Sequence, residues 1–529
     1  MVQIIADQIG YKPEDPKKAV FRGDAPKQFT VEELKSGNVV FTGQLSAPIR
    51  NERADEMNYI ADFTEVKKPG KYRITAEGCA DSMPFAVGEE VYQEVTHDLL
   101  RFFYLQRCGV ATSQKYAGDY AHESCHDTPA KIYGTEQTID ARGGWHDAGD
   151  YGRYIVAAAV AIADLLLAYE NNPTLFGQSM NIPESSLAIP DILSEVRFEL
   201  EWMFKMQNPK TGEAYHKVTC AGFPDLPVMP ENETEELIVS PPSITATADF
   251  AAVMAMSMRF FMDYDEIFAK RCLRAAIKAY DAMQRMFLPG GFKNPKDIVT
   301  GEYGDASDAD ERYWAAAELY KTTGEERYHK DIKNQVDKGV IHGYGWTEVG
   351  SFGNIAYLST RQYPTDETMK HKIEESMVSL ANMLLERVKG DSYGFSLPEY
   401  EWGSNMYVAN NAYHLNDAYR ITGKKEYLDA AKEQIHYLFG KNANAVCFVT
   451  GYGTISPKNP HHRPSAAKRR AMKGMLVGGP DEGFHDACTQ EKLKDVAPAK
   501  VYIDELDSYS TNEVTIYWNS AILMALSVI

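Results

Sequence analysis

The chain has 529 residues, which is enough for two or more domains, and its apolar content of 44% is ordinary for a globular protein. The formal net charge of −20 at pH 7 argues against nucleic acid and anionic membranes as partners. No apolar run long enough to span a membrane is evident, and the odd number of cysteines, 7, argues against a full disulfide framework.

The N-terminus, MVQIIADQIGYKP, lacks the charged segment followed by an apolar segment that marks a signal peptide. Two locations therefore stay open. We expect a cytoplasmic protein, or a secreted one if a signal peptide has been removed.

The first part of the chain has the pattern of short β-strands. The runs KAVFR, NVVFTGQL, NYIADFT and KYRITA are separated by the turn signals KSGN and KPGK. Closely spaced short strands with such turns predict a small β-sandwich, which we place at residues 1–88. Because no flexible Pro/Ser-rich linker follows Gly88, we expect this domain to pack on the rest of the chain.

Residues 89–529 have a helical pattern instead. Helical periodicity is clear in EEVYQEVTHDLLRFFYLQRCG, YIVAAAVAIADLLLAYE, TATADFAAVMAMSMRFFMDY and DERYWAAAELYKTTGEERY. The segments ELYKTTGEERY and DAYRITGKKEY resemble each other, and in each a helix ends at a glycine, Gly324 or Gly423, before a new helix starts. Repeated αα-hairpins of this kind predict an α/α barrel or solenoid.

The stretch GGWHDAGDYGRY, which begins at Gly143, places Asp147 and Asp150 three residues apart. Its glycines allow sharp turns or a close approach to a ligand, and its aromatic side chains offer flat faces to a sugar ring. Two carboxylates this close repel each other, so one pKa should rise unless both hold the same water or cation. The alternative is a glycine-rich loop with solvated aspartates.

Glu513 lies in DELDSYSTNEVTIYWNSAILMAL, just before the apolar run that ends the chain. Tyr509, Tyr517 and Trp518 flank it and can desolvate its carboxyl group, which raises the pKa towards the range of a general acid. The alternative is a carboxylate that only stabilises a helix start through the helix dipole.

The stretch GYGTISPKNPHHRPS places His461, His462 and Arg463 after a proline-rich loop. Three hydrogen-bond donors in one loop suit a hydroxyl-rich or anionic ligand. The alternative, a basic loop that binds nucleic acid, conflicts with the acidity of the whole chain.

These three motifs stand in the order found in glycoside hydrolase family 9, and the chain resembles the bacterial branch of that family with an N-terminal immunoglobulin-like domain. Smaller matches are TGEYGDASDADERYWAAAELY, YEWGSNMYVANNAY and the N-terminal ADQIGYKPEDPKKAV. The resemblance spans nearly the whole chain. It implies a mainly α fold, with a six-fold α/α barrel preceded by a small immunoglobulin-like β-sandwich, and hydrolysis of β-1,4-glucan with inversion at C1.

The resemblance also implies residue roles. Asp150 would be the general base, Asp147 would help to hold the attacking water, and Glu513 would be the general acid. The residues expected to bind substrate are His461, Arg463, Trp402 and Tyr509. Inversion requires roughly 6.5–9.5 Å between the acid and the base, to leave room for water.

Cys108, Cys125, His126 and His146 have the ligand types of a closed, tetrahedral zinc site. Related members of the family branch carry such a site, so we expect a structural zinc ion that braces the loop of Asp147. The alternative is a set of reduced buried cysteines and surface histidines.

The segment DASDADERY is rich in oxygen ligands, and Asp308, Asp310 and Glu311 are candidates for calcium. Family members often bind calcium near this position. The alternative is an acidic first turn of the helix that contains YWAAAELY.

The expected function is therefore that of an inverting endo-β-1,4-glucanase that acts on cellulose-type glucans or cellodextrins. An exo-acting cellodextrinase, β-glucosidase or exo-β-glucosaminidase of the same family is the nearest alternative. A non-catalytic carbohydrate-binding protein would lack at least one carboxylate, and a zinc hydrolase would need an open ligand position and a motif such as HExxH, which is absent. We expect a monomer that needs no organic cofactor.

Overall fold

The computed structural model describes residues 2–186 and 188–529, with the side chain of Ser186 excepted. Two sheets, in the strand orders β1-β3-β7-β6 and β2-β9-β8-β4-β5, form the N-terminal β-sandwich. The strands are β1 (Gln3–Ile5), β2 (Gly10–Tyr11), β3 (Lys18–Arg22), β4 (Gln28–Glu33), β5 (Val39–Gln44), β6 (Ile49–Asn51), β7 (Glu56–Asp62), β8 (Gly70–Thr75) and β9 (Phe85–Val87). The predicted sandwich is confirmed.

The core of the sandwich follows from alternation along its strands. Tyr72 and Ile74 on β8 face inward and are fully buried, and they meet Phe29 and Val31 from the neighbouring β4. The last strand ends at Val87, and the first helix begins six residues later. The division of the chain at residue 88 stays a prediction.

Six helices form the inner wall of an α/α barrel, and six others pack outside them. The inner helices are α3 (Ile155–Asn171), α5 (Ile244–Phe261), α7 (Ala309–Thr323), α9 (Gly350–Leu358), α11 (Ser404–Thr422) and α16 (Ile516–Leu526). The outer helices are α1 (Gln93–Leu105), α4 (Asp191–Met206), α6 (Glu266–Met283), α8 (Glu326–Lys338), α10 (Glu367–Gly390) and α12 (Lys425–Leu438). The remaining helices are α2 (Gln114–Ala117), α13 (Arg463–Lys468), α14 (Ala487–Lys492) and α15 (Tyr509–Asn512).

Sequence pattern decides which helices are inner and which are outer. Every residue of α3 from Ile155 to Ala168 is buried, as expected for a helix that is apolar all round. On α8 only Tyr328, Ile332 and Val336, which are four residues apart, are buried, so this helix shows a single apolar stripe.

The helix ends also follow the predicted pattern. Gly324 ends α7 at φ 71° and Gly423 ends α11 at φ 70°, both in the left-handed region. By length and composition one helix of the described chain, α5, could cross a membrane, but 83% of that apolar stretch is buried inside the protein.

The sandwich and the barrel share buried charges. Asp7 Oδ2, near the N-terminus, lies 2.9 Å from Nδ1 of His436 on α12, and both side chains are almost fully buried. Glu433, one turn earlier, accepts from Lys18 of the sandwich at 3.1 Å and from Lys441 at 2.6 Å. Burial alone would raise the pKa of Glu433, but the two ammonium groups lower this pKa to about 2.

A third sheet, which the sequence pattern did not predict, lies at the mouth of the barrel in the strand order β11-β10-β14-β13-β12. Its strands are β10 (Ala130–Ile132), β11 (Thr138–Ile139), β12 (Arg153–Tyr154), β13 (Lys217–Thr219) and β14 (Ile238–Val239). Strand β12 follows the Asp147/Asp150 loop directly, so this sheet holds one end of that loop.

Candidate active site

An open cleft of about 400 Å³ lies where two neighbouring inner helices begin. The Asp147/Asp150 loop leads into α3, and Glu513 lies three residues before the start of α16. Both motifs contribute carboxyl groups to the lining of the cleft. The packing of α3 against α16 thus brings together residues that are more than 360 positions apart in the sequence.

Backbone contacts fix the shape of the aspartate loop. The amide of Asp147 donates to the carbonyl of Gly152 at 2.9 Å, and the amide of Ile516 donates to the carbonyl of Asp147 at 2.8 Å. At Gly149 a Cβ atom would lie 2.1 Å from the carbonyl oxygen of His461, so only glycine fits there. This close approach sets the aspartate loop directly against the histidine loop.

Asp147 and Asp150 have different surroundings. Asp150 Oδ2 accepts from the amide of Gly152 at 3.0 Å and from the hydroxyl of Tyr154 at 3.3 Å. Asp147 Oδ2 accepts from the hydroxyl of Tyr303 at 2.5 Å, whereas its buried Oδ1 has no partner among the described residues. Burial and the charge of Asp150 raise the pKa of Asp147.

Glu513 is not the cap of the helix that follows it. Thr515 caps α16, because its hydroxyl accepts from the amide of Trp518 at 3.0 Å. The carboxyl group of Glu513 faces the cleft, and burial, followed by the charge of Asp150, raises its pKa well above the usual range. The arrangement can therefore present a protonated carboxyl group at neutral pH.

Exposed aromatic rings extend from the cleft. Trp402, at 42% exposure, and Tyr509, at 37%, have ring centroids 5.4 Å apart. His485 lies beside Trp402 at 5.9 Å, and His461 lies beside Tyr509 at 6.0 Å. Exposed rings of this kind suit stacking against sugar rings, because they are held in place and retain a free face.

The two predicted polar binding residues have protein partners. His461 Nδ1 lies 2.7 Å from the carbonyl of Leu506, so a protonated Nδ1 leaves Nε2 as an acceptor. Arg463 is 5% exposed, and it donates to the carbonyl of Gly149 at 2.7 Å and to that of Pro224 at 2.8 and 2.9 Å. Its guanidinium group thus joins two loops of the cleft.

The sequence motifs did not identify several residues that line the cleft, because these residues come from separate loops and helices. The missed lining residues include Phe223, Tyr303, Trp346 and Tyr407. Tyr303 and Tyr407 could have been proposed, since they belong to the GEYGDASDAD and YEWGSNMYVANNAY stretches that resemble the family.

The four predicted zinc ligands come together. The ligand atoms of Cys108, Cys125, His126 and His146 all lie within 4.8 Å of one another, and all four residues are buried. Cys108 Sγ is 3.6 Å from His126 Nδ1, and Cys125 Sγ is 3.7 Å from His146 Nε2. A tetrahedral zinc ion would separate sulfur and nitrogen ligands by about 3.5 Å, so the donor set fits. Glu233 lies 2.8 Å from Nε2 of His126, the ring nitrogen that does not face Cys108, and so orients the imidazole ring.

The three predicted calcium ligands have different surroundings. Asp308 pairs with Arg312 at 3.1 Å, four residues along α7, which agrees with a helix-start role for this residue. Glu311 is fully buried on the same helix, and neither of its carboxylate oxygens has a partner among the residues described. Asp249 on α5 is also fully buried, and neither of its carboxylate oxygens has a partner among the described residues. Burial, followed by the neighbouring carboxylates, raises the pKa of both groups.

Comparison with known proteins agrees with this geometry. The family model described as "Glycosyl hydrolase family 9" matches residues 92–526, and the one described as "Cellulase N-terminal ig-like domain" matches residues 2–81. A cellodextrinase of Butyrivibrio fibrisolvens is 36% identical, over 100% of this chain and 99% of its own length.

Two solved structures have the same architecture. A single mutant of a thermostable endoglucanase from Alicyclobacillus acidocaldarius has a TM-score of 0.93 and 34% identity, over 99% of both chains. A zinc-binding triple mutant of the family 9 endoglucanase J30 has a TM-score of 0.91 and 32% identity, over 98% of this chain and 99% of its own. The chain therefore belongs to glycosyl hydrolase family 9 and is a glycoside hydrolase with an N-terminal immunoglobulin-like domain.

Proposed function

We propose that the chain hydrolyses β-1,4-glucosidic bonds inside cellulose-type glucans and cellodextrins, with inversion at C1. The observation that carries the proposal is the carboxyl pair in the open cleft: burial and the charge of Asp150 raise the pKa of Glu513, and Asp150 accepts two hydrogen bonds through Oδ2. Cleavage with inversion needs one protonated carboxyl group and one carboxylate.

In this mechanism a water molecule attacks C1 from the side of the aspartates. Asp150 takes a proton from the water while the C1–O bond to the leaving sugar breaks. Glu513 gives its proton to the leaving oxygen. Asp147, oriented by Tyr303 at 2.5 Å, offers its free oxygen Oδ1 to the same water.

Substrate binding follows the aromatic rings. Trp402 and Tyr509 present free faces to sugar rings at one end of the cleft, and His461 accepts from a sugar hydroxyl through Nε2. Arg463 acts by holding the loops of Gly149 and Pro224 in place. Arg463 therefore supports substrate binding in two ways, by fixing these two loops and by its positive charge.

The alternative is an exo-acting cellodextrinase, which the similarity to the Butyrivibrio enzyme favours. Carboxymethylcellulose separates the two, because internal cuts lower viscosity long before many reducing ends are released. We expect early viscosity loss. Release of reducing sugar at nearly constant viscosity would favour the exo enzyme, and products from cello- and chito-oligosaccharides would then define the sugar it prefers.

We further propose a structural zinc ion held by Cys108, Cys125, His126 and His146. Four protein ligands complete a tetrahedral shell, so no position is left for a zinc-bound water, and the ion braces the loop instead of reacting. His146 immediately precedes Asp147, so bracing this histidine also fixes the start of the aspartate loop.

Cys125→Ser should remove the zinc and lower the melting temperature by about 5 °C or more, because metal binding stabilises only the folded state. Activity should fall indirectly, through the loosened loop. Metal analysis should find about one zinc ion per chain in the unaltered protein. Cys272→Ser, also at a buried cysteine but on the outer helix α6, should keep the zinc. A metal-free protein with unchanged melting temperature and rate would rule the site out.

For calcium we propose ligands that differ in part from those predicted. The proposed ligands are Asp310 and Glu311, as predicted, together with Asp249 and Asp305. Asp308 is not among them. Asp249 and Asp305 each have at least one buried carboxylate oxygen without a partner in the described chain. A divalent cation would relieve the mutual repulsion of these carboxylates.

A further inference from the structure

Lys217 carries a buried ammonium group next to the aspartate loop. The side chain is fully buried, and the residue pairs with Tyr154 across strands β12 and β13. Its Nζ donates to the carbonyl of Gly301 at 2.6 Å and to the hydroxyl and carbonyl of Thr300 at 3.0 and 3.3 Å. All three acceptors are neutral. The positive charge is therefore hydrogen-bonded but not neutralised by a direct ion pair within the described chain.

Lys217 contacts segments that hold both aspartates. Nζ lies 5.4 Å from the ring centroid of Tyr154, whose hydroxyl donates to Asp150 Oδ2. On the other side, the carbonyl of Gly301 lies two residues before Tyr303, whose hydroxyl donates to Asp147 Oδ2. A single side chain thus supports both partners of the aspartates.

The charged and titratable groups that face Lys217 come from three segments. They are Asp150 and Tyr154 from the aspartate loop and β12, His216 from its own segment, and Glu302 from the loop before α7. Burial lowers the pKa of Lys217 to about 8, against the opposing effect of Asp150 and Glu302. The group is therefore largely charged at neutral pH and below.

We propose that Lys217 supplies a fixed positive charge on the aspartate side of the catalytic pair, and that it positions the 300–303 segment, which carries the Tyr303 partner of Asp147. The inference rests on the proposed role of Asp150 as the base. Three carboxyl groups share this cleft, and without a nearby cation they would compete for protons. A fixed positive charge on the aspartate side assigns the proton to Glu513 and leaves Asp150 free to accept one.

Three substitutions separate charge from hydrogen bonding. Lys217→Met removes both, Lys217→Gln removes the charge but keeps a donor for Gly301, and Lys217→Arg keeps the charge. If the charge matters, the acidic limb of the kcat/KM profile should move to higher pH by about one unit in the Met and Gln variants and stay in place in the Arg variant. At pH values on that limb, kcat/KM should fall about tenfold.

The control is Thr219→Val, which removes the hydroxyl contact to Thr300 at 2.9 Å on the same strand without changing charge. It should lower kcat slightly and leave both limbs in place. Lys217→Gln with an unmoved acidic limb would overturn the inference, and it serves as the test where the Met variant does not fold. Asp150→Asn distinguishes the two proposals: a fully active Asp150→Asn enzyme contradicts the base assignment itself, whatever Lys217 does.

Discussion

Glu513→Gln should lower kcat on unactivated glucans by about 10²–10⁴-fold while leaving substrate binding nearly intact, because only proton donation to the leaving oxygen is lost. Substrates with a very good leaving group need less protonation and should lose much less. Steady-state kinetics on cellotetraose and on an aryl cellobioside with an acidic phenol measure the contrast. Equal losses on both would contradict the role of general acid.

The pH profile provides a second measure of the same group. Because burial and the charge of Asp150 raise the pKa of Glu513, this group keeps its proton to a higher pH than an ordinary glutamate and loses it as the pH rises through the raised pKa. Activity should therefore fall on the alkaline side, and the alkaline limb should disappear in Glu513→Gln. Glu505→Gln is the matched control, since this carboxylate is 41% exposed and pairs with Lys492 outside the cleft.

Asp150→Ala should reduce turnover by about 10²–10⁴-fold, because the attacking water then has no base. Azide needs no deprotonation, so it should restore part of the rate and yield a glycosyl azide of inverted configuration. Asp147→Ala should also lower the rate, to a smaller extent. Kinetics with and without azide, together with analysis of the product's anomeric configuration, provide the measurement.

The matched control for the aspartates is Asp140→Ala, on the same segment before the loop. Asp140 is 47% exposed and pairs with Arg142 and Lys205, so its loss should leave turnover nearly unchanged. Near-normal activity of Asp150→Ala would place the base elsewhere, and rescue with retained configuration would contradict inversion.

The sequence pattern predicted the elements whose conformation depends on residues close together in the chain. The run KAVFR coincides with strand β3, and the glycines at positions 324 and 423 end their helices in the left-handed conformation. The repeated αα-hairpins predicted an α/α barrel or solenoid, and the resemblance to family 9 implied the six-fold barrel. The sequence also selected Cys108, Cys125, His126 and His146, whose ligand atoms the structure places within 4.8 Å of one another.

Contacts between distant loops were not predictable in the same way. Tyr303 reaches Asp147 only because the loop before α7 folds over the start of α3, and no periodicity in either segment records this. Asp308 looked like its acidic neighbours in sequence, yet helix geometry turns it towards Arg312, four residues on. The third sheet consists of strands of two or three residues, which are too short to leave a pattern.

The charges shared by the sandwich and the barrel limit how this enzyme can be rearranged. Asp7 and His436 are buried where the two domains meet, and Glu433 has one lysine partner from each domain. A barrel without its sandwich would keep the residues of the cleft, but His436 would lose Asp7 as a partner and Glu433 would keep only Lys441. The N-terminal domain is thus not an interchangeable module, and grafting a foreign one onto this barrel would require transplanting its acidic and basic contacts as a set.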